Sequence, residues 1–266
     1  MDPLDRLGAV LDGFDAIAVA VSGGVDSLTL AAAAHARHGA RARAWHATSP
    51  AVPAEATART RALAAARSWA LTVFDAGEFS DPSYRANPAD RCFFCKTNLY
   101  GAIAARTGDP IASGTNLDDL GDWRPGLRAA AEHGVRHPFV EAGIDKAEVR
   151  RLAARLGLGA VAELPASPCL SSRIETGRPI DPAELALVHD AERTIAAALE
   201  PRTVRCRLRA GGIVIELDED ALARLDGPLR EQLHARLTDM VCAARLVRPV
   251  SFAPYRMGSA FLRPAP

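Results

Sequence analysis

The sequence has no surplus of either charge: 32 lysines and arginines balance 32 aspartates and glutamates. Nucleic-acid-binding surfaces ordinarily leave a basic excess, and no run of lysine or arginine stands out, so the composition argues against a nucleic-acid partner. Nor is there a stretch of ~18 consecutive apolar residues of the kind a membrane span needs. The opening Met1-Asp2-Pro3-Leu4-Asp5-Arg6 lacks the basic segment and apolar core of a secretory leader. A cytoplasmic protein without membrane contact is the expectation. The five cysteines are odd in number and clustered. That excludes an even disulfide framework as the natural reading and points to metal-bound or reactive thiols. No low-complexity segment or fixed-period repeat is evident. What is present is a chain of 266 residues, 48% hydrophobic, enough to build a full core in one large domain or two small ones.

The most informative stretch is Ala16-Ile17-Ala18-Val19-Ala20-Val21-Ser22-Gly23-Gly24-Val25-Asp26-Ser27. An apolar strand-like run breaks at two glycines and resumes as a leucine- and alanine-rich helix over 28–37. Strand, tight turn and helix N-terminus together make an anion site, because unpaired N–H groups and the positive end of the helix dipole converge there. The glycines permit close backbone approach, while Ser22, Asp26 and Ser27 supply polar groups at the lip. No lysine follows the glycines, which rules out the Walker pattern. The turn matches instead the Ser-Gly-Gly-x-Asp-Ser signature of PP-loop ATP pyrophosphatases, which hold the β,γ-pyrophosphate of ATP and expose its α-phosphate.

Further strands are expected at 42–46, 71–74 and 110–113, alternating with helices at 54–69 and 97–106 after a short lead-in helix over 1–15. That alternation predicts an α/β fold with a parallel sheet, whose ligands sit at the carboxyl ends of the strands. Ser49 and Thr115 fall at two such ends and are candidate nucleotide contacts beside Ser22, Gly23, Gly24, Asp26 and Ser27. Asp145 caps a helix with Glu148 three residues on. The pattern then dissolves between 163 and 182, placing a domain boundary near residue 175. Residues 1–175 form the PP-loop domain, and 176–266 a smaller α+β domain. The latter reads as a helix over 183–199, strands at 203–208 and 213–217, another helix and a last strand near Leu246, ferredoxin-like in part.

Cys92-Phe93-Phe94-Cys95 opens a helix, and Cys169 lies in the irregular Pro168-Cys169-Leu170-Ser171-Ser172-Arg173 loop. Three thiolates suit a four-iron cluster with one open iron, or zinc with a fourth ligand; buried structural cysteines are the alternative. Cys206 and Cys242 read as core residues. The polar stretch from Gly114 to Gly126, Gly-Thr-Asn-Leu-Asp-Asp-Leu-Gly-Asp-Trp-Arg-Pro-Gly, follows a strand. Its carboxylates, or Asp26, can hold Mg²⁺ on phosphates, and Arg124 can neutralise charge developing on the α-phosphate. Arg205 and Arg207 share a strand face. Glu216 interrupts an apolar strand, where a lone charge ordinarily faces solvent. The seven histidines show no metal spacing.

The glycine turn, the Gly114-to-Gly126 stretch and the Cys-Leu-Ser-Ser-Arg loop together resemble the LarE family of ATP-dependent sulfur transferases. The likeness runs through most of the chain, including Thr203-Val204-Arg205 and Ile215-Glu216-Leu217. It implies adenylation of a carboxylate of pyridinium-3,5-biscarboxylic acid mononucleotide, then conversion to a thiocarboxylate, in biosynthesis of the nickel-pincer nucleotide cofactor. It implies Ser22, Gly23, Gly24, Asp26 and Ser27 on the pyrophosphate, and Arg124, Ser172 and Arg173 around the reaction centre. Glu192, Arg205, Arg207 and Glu216 match positions near the substrate phosphate or a metal. Some members give up the sulfur of one cysteine in the Ser-Ser-Arg loop, whereas others hold a [4Fe-4S] cluster on three cysteines. Cys92, Cys95 and Cys169 match the second kind, with Cys169 also a candidate for the sulfur step. ATP, Mg²⁺ and the cluster are the implied cofactors, and a homo-oligomer the implied assembly; the sulfide donor is left unspecified. A PP-loop tRNA thiolase, which also gathers three cysteines, and a non-catalytic nucleotide-binding module are the alternatives.

Overall fold

The computed structural model describes residues 2–121 and 123–262. In chain order the elements are α1 (Pro3–Leu11), β1 (Ile17–Ala20), α2 (Val25–His38), β2 (Ala42–Ala47), α3 (Ala54–Ala66), β3 (Ala70–Phe74), α4 (Pro82–Arg85), α5 (Arg91–Ala104), β4 (Ile111–Ser113), α6 (Pro125–Glu132), α7 (Pro138–Glu141) and α8 (Lys146–Arg155). They continue as α9 (Pro182–Leu199), β5 (Val204–Arg209), β6 (Gly212–Leu217), α10 (Glu219–Arg224), α11 (Gly227–Ala243) and β7 (Val250–Pro254). The chain divides into two compact units. Unit 1 takes the residues up to Asp81 and Asp90–Ser167; unit 2 takes Pro82–Ala89 and the residues from Pro168 on. Against the expected boundary near 175, unit 2 thus begins a few residues earlier and recruits a segment from far upstream.

Unit 1 is built on a four-stranded sheet of order β3-β2-β1-β4, parallel throughout. All four residues of β1 are buried, as a strand covered by helices on both faces requires. On one face the alanine-rich α2 lies close to the sheet, with Leu7, Leu11, Phe139, Val149 and Leu152 closing a single core. Trp45, Tyr100, Ile103 and Ile111 form the core of the other face. α8 starts with the expected capping box: Asp145 Oδ1 accepts from the Glu148 N–H at 2.7 Å, and Glu148 reaches back to the Asp145 N–H at 3.3 Å. Strand order reverses at β1, with β2 and β3 on one side and β4 on the other. Such a switch point opens a crevice at the carboxyl ends of the strands, which here are residues 21–24 and 114–116.

Unit 2 packs α9 against a three-stranded sheet of order β5-β6-β7, in which β5 and β6 are antiparallel and β6 and β7 parallel. The parallel pair and the three-strand count differ from a ferredoxin-like sheet. Gly212 has φ +146°, and a Cβ there would stand 2.7 Å from the Pro249 carbonyl oxygen, so the hairpin and the entry to β7 require glycine. The last strand begins at Val250, not near Leu246. Arg245 leaves α11 with φ +59° and Val247 is fully exposed, so regular pairing resumes only after Pro249. Cys206 is buried, as expected, and burial pushes its thiol pKa well up. Cys242 is exposed on α11, contrary to the core role read from the sequence. Among the described residues no helix is long and apolar enough to cross a membrane.

Candidate functional site

The turn between β1 and α2 is shaped by contacts that leave no room for side chains at two positions. Gly23 has φ +83°, and a Cβ would lie 2.7 Å from the Ala56 carbonyl oxygen. The Arg59 guanidinium of α3 draws the Gly23 carbonyl toward itself at 2.7 Å. From the β4 side, a Cβ on Gly114 would stand 2.8 Å from the Ser27 backbone nitrogen. The α2 N-cap is Gly24, without a capping side chain, so the first-turn N–H groups have no acceptor from the helix itself. Ser27 Oγ accepts from the Ser22 N–H at 3.1 Å, donates to the Gly24 carbonyl at 3.2 Å and lies 3.2 Å from Ser22 Oγ. Ser22, Gly23, Gly24, Asp26 and Ser27 therefore lie together in one tight cradle whose helix start has no side-chain cap. Ser49 sits just past the carboxyl end of β2, where its Oγ accepts from the Ala51 N–H.

A lysine absent from the sequence signature is supplied by the fold. Lys146, first residue of α8, places Nζ 2.6 and 2.5 Å from the two carboxylate oxygens of Asp26. Asn116 Nδ2 donates to the same carboxylate at 3.2 Å. From Asn116 the bonding continues: its N–H donates to Asp119 at 3.1 Å, and Asp119 accepts Arg124 at 2.7 Å. The Asp118 N–H donates to Asn116 Oδ1. Asn116 and Asp119 thus connect the β1–α2 cradle at Asp26 to Arg124. Asp122 of the 114–126 stretch lies outside the described residues. Thr115 Oγ1 bonds Ser113 Oγ at 3.0 Å, which in turn meets His137 Nδ1 at 2.9 Å.

Arg124 is the N-cap residue of α6, and α6 packs against α5. A Cβ on Gly126 would come within 3.6 Å of the Cys92 carbonyl oxygen, and Arg128 stacks 3.9 Å over the Phe93 ring. Cys92 and Cys95 occupy successive turns at the N-terminal end of α5, the first exposed and the second partly so. Within unit 1, then, the cysteine pair adjoins the stretch that leads to Asp26.

Two histidines support the cradle. His46 is fully buried; its Nδ1 donates to the Val21 carbonyl at 2.8 Å and its Nε2 accepts from Thr57 at 2.9 Å. Because a carbonyl can only accept, this fixes the tautomer. Burial holds the pKa of both His46 and His137 below the ordinary imidazole value.

The remaining candidates meet in unit 2. Arg173, only 3% exposed, forms a bidentate pair with Glu192 at 2.9 and 3.0 Å and bonds the Pro168 and Cys169 carbonyls and Ser172 Oγ. Glu192 also accepts from the Cys206 N–H. Arg207 pairs with Glu216 at 3.0 Å and donates to the Ser172 carbonyl. Glu216 is 1% exposed and accepts Arg207, Arg209 and Ser259; the solvent-facing reading of a lone strand charge is overturned because three donors meet it. Burial first, and the charge of Arg173 next, pull Arg205 below the usual guanidinium value. Four arginines, 173, 205, 207 and 209, against the two carboxylates of Glu192 and Glu216 leave this cluster electropositive, as a phosphate-bearing ligand prefers. Through the Pro168 and Cys169 carbonyls, Arg173 holds the Cys169 turn.

Lys146, His46 and Arg59 were not anticipated from the sequence. One signal was available: the chain has only two lysines, and one of them starts a well-capped helix. As for metals, Cys92 and Cys95 stand together in unit 1 and Cys169 belongs to unit 2. Among the described residues no group of three or more His, Cys, Asp or Glu side chains is gathered as a metal site. Thiols are the right donors for an iron-sulfur cluster. Mg²⁺ commonly takes one or two carboxylates plus phosphate oxygens; Asp26 is the candidate carboxylate, and both of its oxygens are here taken by Lys146.

A parallel α/β unit whose first strand runs into a Ser-Gly-Gly-x-Asp-Ser cradle at the switch point, with a small α+β unit after it, is compatible with a PP-loop fold. The chain is 38% identical over 193 residues to the uncharacterized protein slr1717 of Synechocystis sp., covering 71% of this chain and 72% of that protein. It belongs to the family of that protein. It is also 29% identical over 138 residues to the uncharacterized protein MJ0830 of Methanocaldococcus jannaschii, half of this chain and 53% of that one. A match of 35% over 144 residues, 53% of this chain and 51% of the relative, links it to a Lactiplantibacillus plantarum protein named pyridinium-3,5-bisthiocarboxylic acid mononucleotide synthase. No family model matches the chain.

Proposed function

We propose that the protein is an ATP-dependent sulfur transferase acting on pyridinium-3,5-biscarboxylic acid mononucleotide, in the manner of the LarE family. The observation that carries this reading is the run of bonds from Asp26 through Asn116 and Asp119 to Arg124, which leads from the β1–α2 cradle to the helix start adjoining Cys92 and Cys95. The name of the Lactiplantibacillus relative supports it.

In this reading the first-turn N–H groups of α2, with Ser22 and Ser27, hold the departing pyrophosphate, and Lys146 adds a positive charge at its edge. The substrate carboxylate attacks the α-phosphorus, the bond to the β-phosphate oxygen breaks, and an acyl adenylate forms. Arg124 offsets charge on the α-phosphate. Arg205 and Arg207 are the candidates for the substrate phosphate, and most of the acceleration comes from positioning. A sulfur nucleophile then attacks the acyl carbon and AMP leaves. That sulfur must be a thiolate, persulfide or sulfide rather than a neutral thiol. Cys92, Cys95 and Cys169 are the residues that would hold a [4Fe-4S] cluster, which when bound supplies sulfide. Asp26 with the phosphates would hold Mg²⁺.

Incubating the protein with ATP, Mg²⁺ and the dicarboxylate tests the reading. AMP and pyrophosphate are expected only when the dicarboxylate is present. ATP left intact, or AMP formed equally with bulk tRNA in its place, would count against it. Gel filtration checks the homo-oligomer that the same reading carries.

A further inference from the structure

The eight residues Pro82–Ala89 leave unit 1 in mid-sequence and pack with unit 2. Their bonding is far denser than a connector needs. Tyr84 is 1% exposed and its hydroxyl meets Ser171 Oγ at 2.7 Å, across 87 residues of sequence. Asn87 is fully buried with φ +54°. Its side-chain amide donates to the carbonyls of Glu175 and Arg178 at 2.9 Å each and of Ile174 at 3.4 Å. Its own carbonyl accepts from the Gly177 N–H at 2.8 Å, and that of Arg85 accepts from the Ile180 N–H at 2.8 Å. A buried non-glycine residue in the left-handed region persists only where its surroundings over-determine it.

One of these bonds, Tyr84 to Ser171, reaches the turn that carries Cys169, while those of Asn87 hold the stretch just after it. Ser171 lies two residues beyond that cysteine and is itself fully buried. From within the turn, Arg173 gathers the carbonyls of Pro168 and Cys169. The turn is therefore held from two sides, while the Cys169 thiol stays partly exposed.

We propose that Tyr84 is a positioning residue for Cys169: the 82–89 strap, acting through the Tyr84–Ser171 bond, sets how that thiol is presented. Tyr84 takes no part in forming the adenylate. The proposal rests on the sulfur-transfer reading for its purpose, but its test does not.

On the full chain under reducing conditions, Tyr84→Phe and Ser171→Ala are compared with the unaltered protein for the rate of iodoacetamide labelling at Cys169. Mass analysis of the labelled peptides reads that rate, with Cys242 as internal control. Each variant should shift Cys169 labelling about fivefold, the factor that one net hydrogen bond carries, with Cys242 unchanged. The double variant should shift it no further, because both remove the same bond. AMP formation should stay intact while thiocarboxylate formation falls in kcat and not in KM for the dicarboxylate. Unchanged Cys169 labelling, or effects that add in the double variant, would overturn the proposal. The expected labelling pattern from a protein that makes no thiocarboxylate would uphold the positioning role and reject the functional reading.

Discussion

Lys146 offers the sharpest separation of chemistry from stability. Its ammonium sits 2.5–2.6 Å from both Asp26 oxygens, with the two side chains 31% and 28% exposed. A pair that near to solvent contributes about 1 kcal/mol or less to folding, so Lys146→Met should lower Tm by only a few degrees, about what that energy amounts to in a chain this size. Its cost to catalysis should be larger. Losing one charged donor aimed at developing phosphate charge typically slows reaction by about 10²–10³-fold, equivalent to about 3–4 kcal/mol. The assay is pyrophosphate release from ATP with the dicarboxylate, alongside a thermal melt. Release at the rate of the unaltered protein would refute the reasoning. So would a fall in Tm large enough to account for the lost activity.

Four further outcomes are expected. Gly23→Ala forces a Cβ onto the Ala56 carbonyl at a positive φ, costing more than about 1–2 kcal/mol, and ATP affinity should fall with Tm. Burial depresses both His46 and His137, so the unfolded chain binds more protons between the folded values and the ordinary 6.5. Stability should be full above that value and decline as pH drops below it, which melts over a pH series will read; a flat profile would be contrary. Glu216→Gln strips the charge facing Arg207 and Arg209, and leaving a buried cation uncompensated costs about 3–5 kcal/mol, measurable by urea denaturation. Cys169→Ala should spare AMP formation and stop thiocarboxylate formation; equal loss of both would refute the assigned division of labour.

The parts of the fold that were legible share a local cause. β1 and its turn could be read because an apolar strand, two glycines and a helix start lie in one unbroken stretch, and the α8 capping box because it spans four residues. Lys146, by contrast, meets Asp26 across 120 residues of sequence, and no local pattern foretells such a pairing. Glu216 looked solvent-facing because its three partners come from β5 and the stretch after β7. The Pro82–Ala89 strap carries no periodicity, so its membership in unit 2 had no signature. The last strand was expected near Leu246, but it begins at Val250, after Pro249.

The central claim is that ATP energy captured at the β1–α2 cradle is delivered to sulfur chemistry on this chain's cysteines. Mass analysis of the dicarboxylate after anaerobic reaction with ATP and a sulfide source tests it most directly. The account predicts AMP together with a product in which sulfur has replaced one carboxylate oxygen. Recovery of the unmodified dicarboxylate, with or without AMP, would contradict it.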